Sequence, residues 1–218
     1  MAESLYWNTV LPLLARCLRQ IIDAEPFAPF RLVGGTALSL QLGHRHSDDI
    51  DLFTDAPYGS IDFDLLQAWL MEHFPYVDTY AFGPAGMGKA YFIGDDENKS
   101  IKLDLYYCTD PFIRPALQID KIRMAHIEDI IAMKVDVIHR GGRMKDFWDL
   151  HELMDTYSID TMIALHAERY PYTHDEKQIR ANFLHFERAD DDLKPNCLRG
   201  KHWEVIKADF MEALPNTQ

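Results

Sequence analysis

Asp49 and Asp51 flank a single isoleucine in the run Asp48-Asp49-Ile50-Asp51-Leu52-Phe53. On an extended chain the side chains of residues i and i+2 share a face, so both carboxylates converge while Ile50 and Leu52 anchor the other side. Parallel carboxylates repel unless a cation lies between them. Mg²⁺ meets that need, being a hard ion held by one or two carboxylates together with substrate phosphates. The same pattern also occurs on exposed strands that bind nothing, so its surroundings decide. Gly34-Gly35-Thr36 precedes it, where a short apolar run, Phe30 to Val33, gives way to a helical pattern from Thr36 to Leu42. The unpaired amides and dipole of such a helix start favour a phosphate, although Thr36 could equally be a plain cap. A third carboxylate, Asp104, lies in Lys102-Leu103-Asp104-Leu105, a strand-like run that puts Lys102 and Asp104 on one face.

Other patterns are weaker. Gly83 to Lys89 satisfies G-x-x-x-x-G-K, yet Ala90 stands where a Mg²⁺-binding Ser or Thr is required and a strand pattern follows, so it reads as a hairpin turn. His44-Arg45-His46-Ser47-Asp48 has the form of a dinuclear metallohydrolase motif, but Asp49 replaces its final histidine. His44 and Arg45 more naturally border a phosphate site or serve as polar loop residues. The aromatics Tyr91, Phe92, Tyr106, Tyr107, Phe147 and Trp148 could stack on bases, but their positions in strands and amphipathic helices suit a core.

The elements that must position these groups follow from periodicity. Leu5 to Ile22 reads as a helix, Asp49 to Phe53 as a strand, Asp62 to Phe74 as a helix, and Val77 to Phe82, Lys89 to Ile93 and Ile101 to Tyr107 as strands. This is an α+β pattern with a mixed sheet. After Pro115 the character changes: a helix pair from His126 to Met154 is interrupted by Gly141-Gly142, and helices are expected over 160–169, 175–186 and 202–213. Residues 1–115 are expected to form the core with its N-terminal helix, and 116–218 a mainly helical lobe contributing to the active-site cleft.

The chain has 218 residues with 47% hydrophobic content, enough for a sizeable core and too apolar for disorder. With 22 basic against 35 acidic residues the net charge is −13, which disfavours unspecific adhesion to nucleic acid. Any such contact must be local, and Lys121 to Lys145, with Lys121, Arg123, Lys134, Arg140, Arg143 and Lys145 against Glu128, Asp129 and Asp136, is the one basic stretch. No apolar run suits a membrane span, and Val10 to Ala15 ends at Arg16 without a preceding cation, unlike a signal peptide. Cys17, Cys108 and Cys197 show no C-x-x-C spacing, which suits free thiols in a reducing cytoplasm.

A glycine-glycine-threonine turn, a D-x-D pair on the next strand and a lone Asp on a later strand together resemble the nucleotidyltransferase superfamily with a DNA polymerase β-like core. LVGGTALSLQLGHRHSDDIDLF (32–53) and HIEDIIAMKVDVIHRGGRMKDFWDLHEL (126–153) are similar to the AbiEii/AbiGii-type nucleotidyltransferase toxins. The resemblance covers about Arg31 to Tyr157. It implies that Asp49, Asp51 and Asp104 bind metal, Mg²⁺ or Mn²⁺. It further implies that Gly34, Gly35 and Thr36 contact the NTP phosphates, that Lys134 faces them, and that Asp146 is the acidic residue of an R/K-D motif. Arg45 is expected to border the same phosphates. Two positions depart from the pattern: Asp136 replaces a residue that is usually small, and Lys145 an arginine.

The expected activity is transfer of an NMP from an NTP to an acceptor, RNA and in particular tRNA by resemblance, by the toxin of a toxin–antitoxin or phage-abortive system with a possible cognate antitoxin. A small molecule or protein side chain is the alternative acceptor, which the acidic charge favours and the basic stretch disfavours. A nucleotide-binding module without turnover would lack carboxylates, and none is missing.

Overall fold

The computed structural model describes residues 4–80 and 86–214. The end of the strand expected through Phe82, and Gly83 to Ala85 of the glycine-rich turn, lie outside them. Among the described residues the chain divides into two compact units, one of residues 4–43, 47–80 and 86–126, the other of residues 44–46 and 127–214.

The first unit is built on a seven-stranded mixed sheet, consistent with the expected α+β class. Its strands are β1 (Arg31–Leu32), β2 (Ile50–Thr54), β3 (Tyr76–Tyr80), β4 (Gly88–Asp96), β5 (Lys99–Tyr107), β6 (Leu117–Ile119) and β7 (Ile122–Met124), in the order β3-β4-β5-β2-β1-β7-β6. β2 runs parallel to β5 and antiparallel to β1. Alternation is clean along β2 and β5: Ile50, Leu52, Leu103 and Leu105 are fully buried, while Asp51, Phe53, Lys102, Asp104 and Tyr106 lie on the half-exposed face. Helix α1 (Pro12–Ile22) packs on β4, β5 and β7 and buries Leu14, Leu18 and Ile21, each a contribution of about 1.5–3 kcal/mol. Helix α2 (Gly34–Leu42) packs on β2, and α3 (Phe63–His73), whose cap Asp62 accepts from the amides of Asp64 and Leu65, packs on β3 and β4.

Two expectations are corrected here. The first helix does not start at Leu5: a 3-10 turn, Trp7–Thr9, precedes it, and α1 begins at Pro12. Proline has no amide to continue a helix through it and is accommodated in the first turn. The sheet also runs past Pro115, because β6 and β7 form a hairpin that pairs with β1. Its two turn residues, Asp120 and Lys121, have φ of 50° and 65°, the left-handed conformation of a tight hairpin turn but without the usual glycine signal.

The second unit contains α4 (Ile127–His139), α5 (Met144–His151), α6 (Ile159–Arg169), α7 (Glu176–Phe183), α8 (Glu187–Asp190) and α9 (Trp203–Ala213). Helix α4 packs against α5, α6 and α7, and α5 against α8 and α9. Gly141 and Gly142, at φ of 105° and 59°, end α4 and allow the reversal into α5. Phe147, Phe183, Phe186, Trp203 and Phe210 form an aromatic core, and Arg169 pairs with Asp129 at 2.6 Å between α6 and α4. The segment His44–His46 joins this unit through backbone bonds from Leu198 to His44 and from His46 to Asn196.

Candidate active site

In the sheet unit Asp51 and Asp104 are direct partners across the parallel β2–β5 pair. Adjacent strands lie ~4.8 Å apart, so two half-buried carboxylates emerge side by side on one face. Asp49 immediately precedes β2. Its position is fixed by Thr36, which is buried and whose hydroxyl donates to the Asp49 carbonyl at 2.5 Å while lying 2.8 Å from Ser47 Oγ. Thr36 thus anchors the loop that delivers Asp49. The backbone amides of the first α2 turn, beginning at Gly34 and Gly35, have no acceptor within the helix.

Gly34 is required twice over. Its φ is +68°, and a β-carbon there would stand 2.6 Å from Asp51 Oδ2. The backbone of the glycine turn therefore touches the carboxylate that the D-x-D pattern singled out. On Asp104, Oδ1 is buried without a hydrogen-bond partner, whereas Oδ2 is paired with the Lys102 ammonium. Burial works against the charge on Lys102, but its hydrogen bond to Asp104 and the charges of Asp104, Asp51 and Asp49 outweigh this and raise its pKa. One lysine thus feels all three carboxylates. A bare buried carboxylate oxygen, its neighbour across the ladder and a glycine that leaves room beside them form a donor set of hard oxygens that suits a divalent cation.

The helical unit holds a second constellation. Lys134 is nearly inaccessible, with its ammonium 2.9 Å from Asp146 Oδ1 and 2.5 Å from Asp149 Oδ2. Arg45 grips Asp149 with two donors, Nε to Oδ1 at 2.6 Å and Nη2 to Oδ2 at 2.8 Å, and His44 Nε2 lies 2.7 Å from Oδ1. Arg143 donates from Nε to Asp146 Oδ2 at 2.8 Å. Burial alone would raise the pKa of both carboxylates and lower that of Lys134. The charges of Lys134 and Arg45 instead hold Asp149 well below the carboxylate range, those of Lys134 and Arg143 lower Asp146, and those of Asp149 and Asp146 raise Lys134. Lys134, Arg45 and Arg143 thus converge on the two carboxylates of Asp146 and Asp149.

A sequence profile described as nucleotidyl transferase AbiEii toxin, type IV toxin–antitoxin system, matches residues 16–217. The chain belongs to the AbiEii family. It is a nucleotidyltransferase, and membership implies an NTP substrate and an antitoxin partner. An uncharacterized protein of Aquifex aeolicus strain VF5 is 28% identical over 207 residues, covering 88% of this chain and 90% of that protein. Among solved structures, JHP933 of Helicobacter pylori is similar with a TM-score of 0.58 and 21% identity, over 92% of this chain and 87% of that one. The nucleotidyltransferase toxin MenT4 of Mycobacterium tuberculosis H37Rv is similar with a TM-score of 0.55 and 13% identity, over 87% and 76%. At these identities the two structures speak for the fold.

In this AbiEii chain the expected site residues fall into two groups. Gly34, Gly35, Thr36, Asp49, Asp51 and Asp104 belong to the sheet unit, and Arg45, Lys134 and Asp146 to the helical one. Arg45, expected beside a phosphate, is buried against Asp149. Asp149 escaped the sequence reading, although its spacing from Asp146 puts both on one face of α5. The basic stretch is also thinner than its composition: Arg123 donates to the carbonyls of Phe27 and Phe30 within the sheet unit, and Lys134 is enclosed. Tyr91, Tyr107, Phe147 and Trp148 are core residues. Among the described residues, no helix is long and apolar enough to cross a membrane, and none of the three cysteines is in a disulfide.

Proposed function

We propose that this AbiEii nucleotidyltransferase moves an NMP from an NTP onto RNA, with tRNA the leading acceptor, as the toxin of a toxin–antitoxin or phage-abortive system, and that Asp49, Asp51 and Asp104 hold Mg²⁺ or Mn²⁺ for the purpose. The observation that carries the reading is the Asp51–Asp104 pair with the bare oxygen on Asp104. When bound, the divalent ion supplies neutralisation of the triphosphate charge. The acceptor hydroxyl oxygen bonds to the α-phosphorus as the bond to pyrophosphate breaks, and the Asp104 carboxylate takes the hydroxyl proton. Gly34 and Gly35 offer backbone amides to phosphate oxygens, and Thr36 keeps Asp49 in place. Lys134, enclosed between Asp146 and Asp149, is assigned no direct phosphate contact and serves to hold the helical unit's network together. Asp146 and Asp149 orient it, and Arg45 orients Asp149.

RNA is favoured over a small acceptor by Arg140, Arg143 and Lys145, accessible cations around the Gly141-Gly142 turn. The test is incubation of the protein with each labelled NTP, Mg²⁺, total RNA and a cell extract. Label in tRNA-sized RNA is the expected result; label confined to protein or small molecules would reassign the acceptor while leaving nucleotidyl transfer intact.

A further inference from the structure

Asp136 and His139 lie one turn apart on α4, and His166 of α6 reaches them, so that one ligand atom from each of the three falls within 4.8 Å of the others. His166 is fully buried, and its two ring nitrogens are employed differently. Nδ1 lies 2.9 Å from Nδ1 of His174. Nε2 is buried with no hydrogen-bond partner and stands 3.6 Å from Asp136 Oδ1, beyond hydrogen-bond length. Oδ2 of Asp136 is already taken by Arg140 at 2.5 Å, which leaves Oδ1 for the histidines. The His139 ring stands edge-on to His166, with centroids 5.7 Å apart and planes at 86°.

A buried nitrogen left unpaired carries the full loss of its hydration. The contact with His174 suggests what it is for. If His166 donates its Nδ1 proton to His174, Nε2 is a bare lone pair, and a metal-binding imidazole is usually held in this way through its other nitrogen. We propose that Asp136, His139 and His166 bind a divalent transition-metal ion of the Zn²⁺ class that fastens α6 to α4. Two imidazoles and one carboxylate suit Zn²⁺, with a fourth position for water, and Zn²⁺ bonds of about 2.1 Å would draw the three ligand atoms closer together. The same set is poor for Mg²⁺, which prefers oxygen donors. This site is made of other residues than the Asp49, Asp51 and Asp104 set and does not depend on its assignment.

The test uses the full chain, stripped by chelator, held in excess Mg²⁺ to occupy oxygen-only sites and titrated with Zn²⁺ while the histidine ring nitrogens are followed by long-range ¹H–¹⁵N spectra. One equivalent of Zn²⁺ is expected to shift ring signals of His139 and His166, with His166 ligating through Nε2, and to raise Tm as a ligand of the native state does. D136N and H139Q, checked for fold by circular dichroism, should bind at least tenfold more weakly. Zn²⁺ that leaves the His139 and His166 rings unshifted, that excess Mg²⁺ displaces, or that binds both folded variants as tightly as the parent overturns the proposal. The parent's ring spectra decide the matter even where a variant fails to fold.

Discussion

Gly34 and Asp51 are fitted to each other: a β-carbon on Gly34 would stand 2.6 Å from Asp51 Oδ2, closer than such atoms approach in real proteins. The glycine turn and the D-x-D carboxylate are thus one structural unit, and each restricts what the other position can hold. Gly34→Ala must either push the carboxylate aside or distort the backbone. The left-handed φ adds about 1–2 kcal/mol of strain. The expected outcome is a folded protein with Tm lowered by several degrees and NTP turnover lowered at least tenfold. A variant that loses stability but keeps full turnover would show that the contact is only packing.

Lys102 stands among the carboxylates as their internal counterion. A divalent cation arriving there must compete with its ammonium. Lys102→Met should therefore tighten the apparent Mg²⁺ affinity of turnover, read as a lower half-saturating Mg²⁺ concentration at fixed NTP. An unchanged or weakened Mg²⁺ response would mean that Lys102 assists the ion instead of opposing it.

The buried network of the helical unit makes a ranked prediction. Lys134→Met leaves Arg45 on Asp149 and Arg143 on Asp146, with charges balanced, so its cost should fall near the lower end of the ~3–5 kcal/mol for breaking a buried pair. Asp149→Asn leaves three cations facing one carboxylate and should cost more. Urea unfolding of the two variants measures the order, and the reverse order would contradict the charge count.

The same network sets a pH profile. Asp146 and Asp149 have lowered pKa values in the folded state, so their contribution is present above the unfolded carboxylate value of ~3.9 and is lost as pH falls through the folded values. Lys134 is raised, so its contribution is present below ~10.4 and is lost as pH rises past that through the folded value. This network should leave Tm level between about pH 5 and 10. Asp149→Asn should lower the plateau and flatten the acid limb; an acid limb identical to the parent's would remove Asp149 from the account.

The period of two along Asp49 to Phe53 and Lys102 to Leu105 made the carboxylate face legible, because alternation is a local property. That Asp51 stands opposite Asp104 was not legible, since register between strands so far apart in sequence is decided by packing. Lys134 shows the same limit from the other side. A lysine flanked by Ile130, Ile131 and Val135 can be read as near a core, but not as enclosed by Asp146 and Asp149. The Asp120-Lys121 hairpin was missed because its three-residue strands are too short to show alternation and neither turn residue is a glycine.

If RNA is the acceptor, Arg140→Glu with Lys145→Glu should reduce RNA labelling at least fivefold while leaving NTP affinity within about twofold, and labelling by the parent should weaken with salt. RNA labelling that is indifferent to both changes and to salt would point to another acceptor.

The central claim is that the sheet carboxylates carry divalent-metal-dependent nucleotidyl transfer. Its most direct test is pyrophosphate release from labelled NTP across a Mg²⁺ titration, for the parent and for Asp51→Asn and Asp104→Asn, each with a thermal melt. The account predicts that the parent depends on Mg²⁺ and that both variants melt normally yet lose at least a hundredfold in rate at saturating Mg²⁺. Either folded variant releasing pyrophosphate at the parental rate would contradict it.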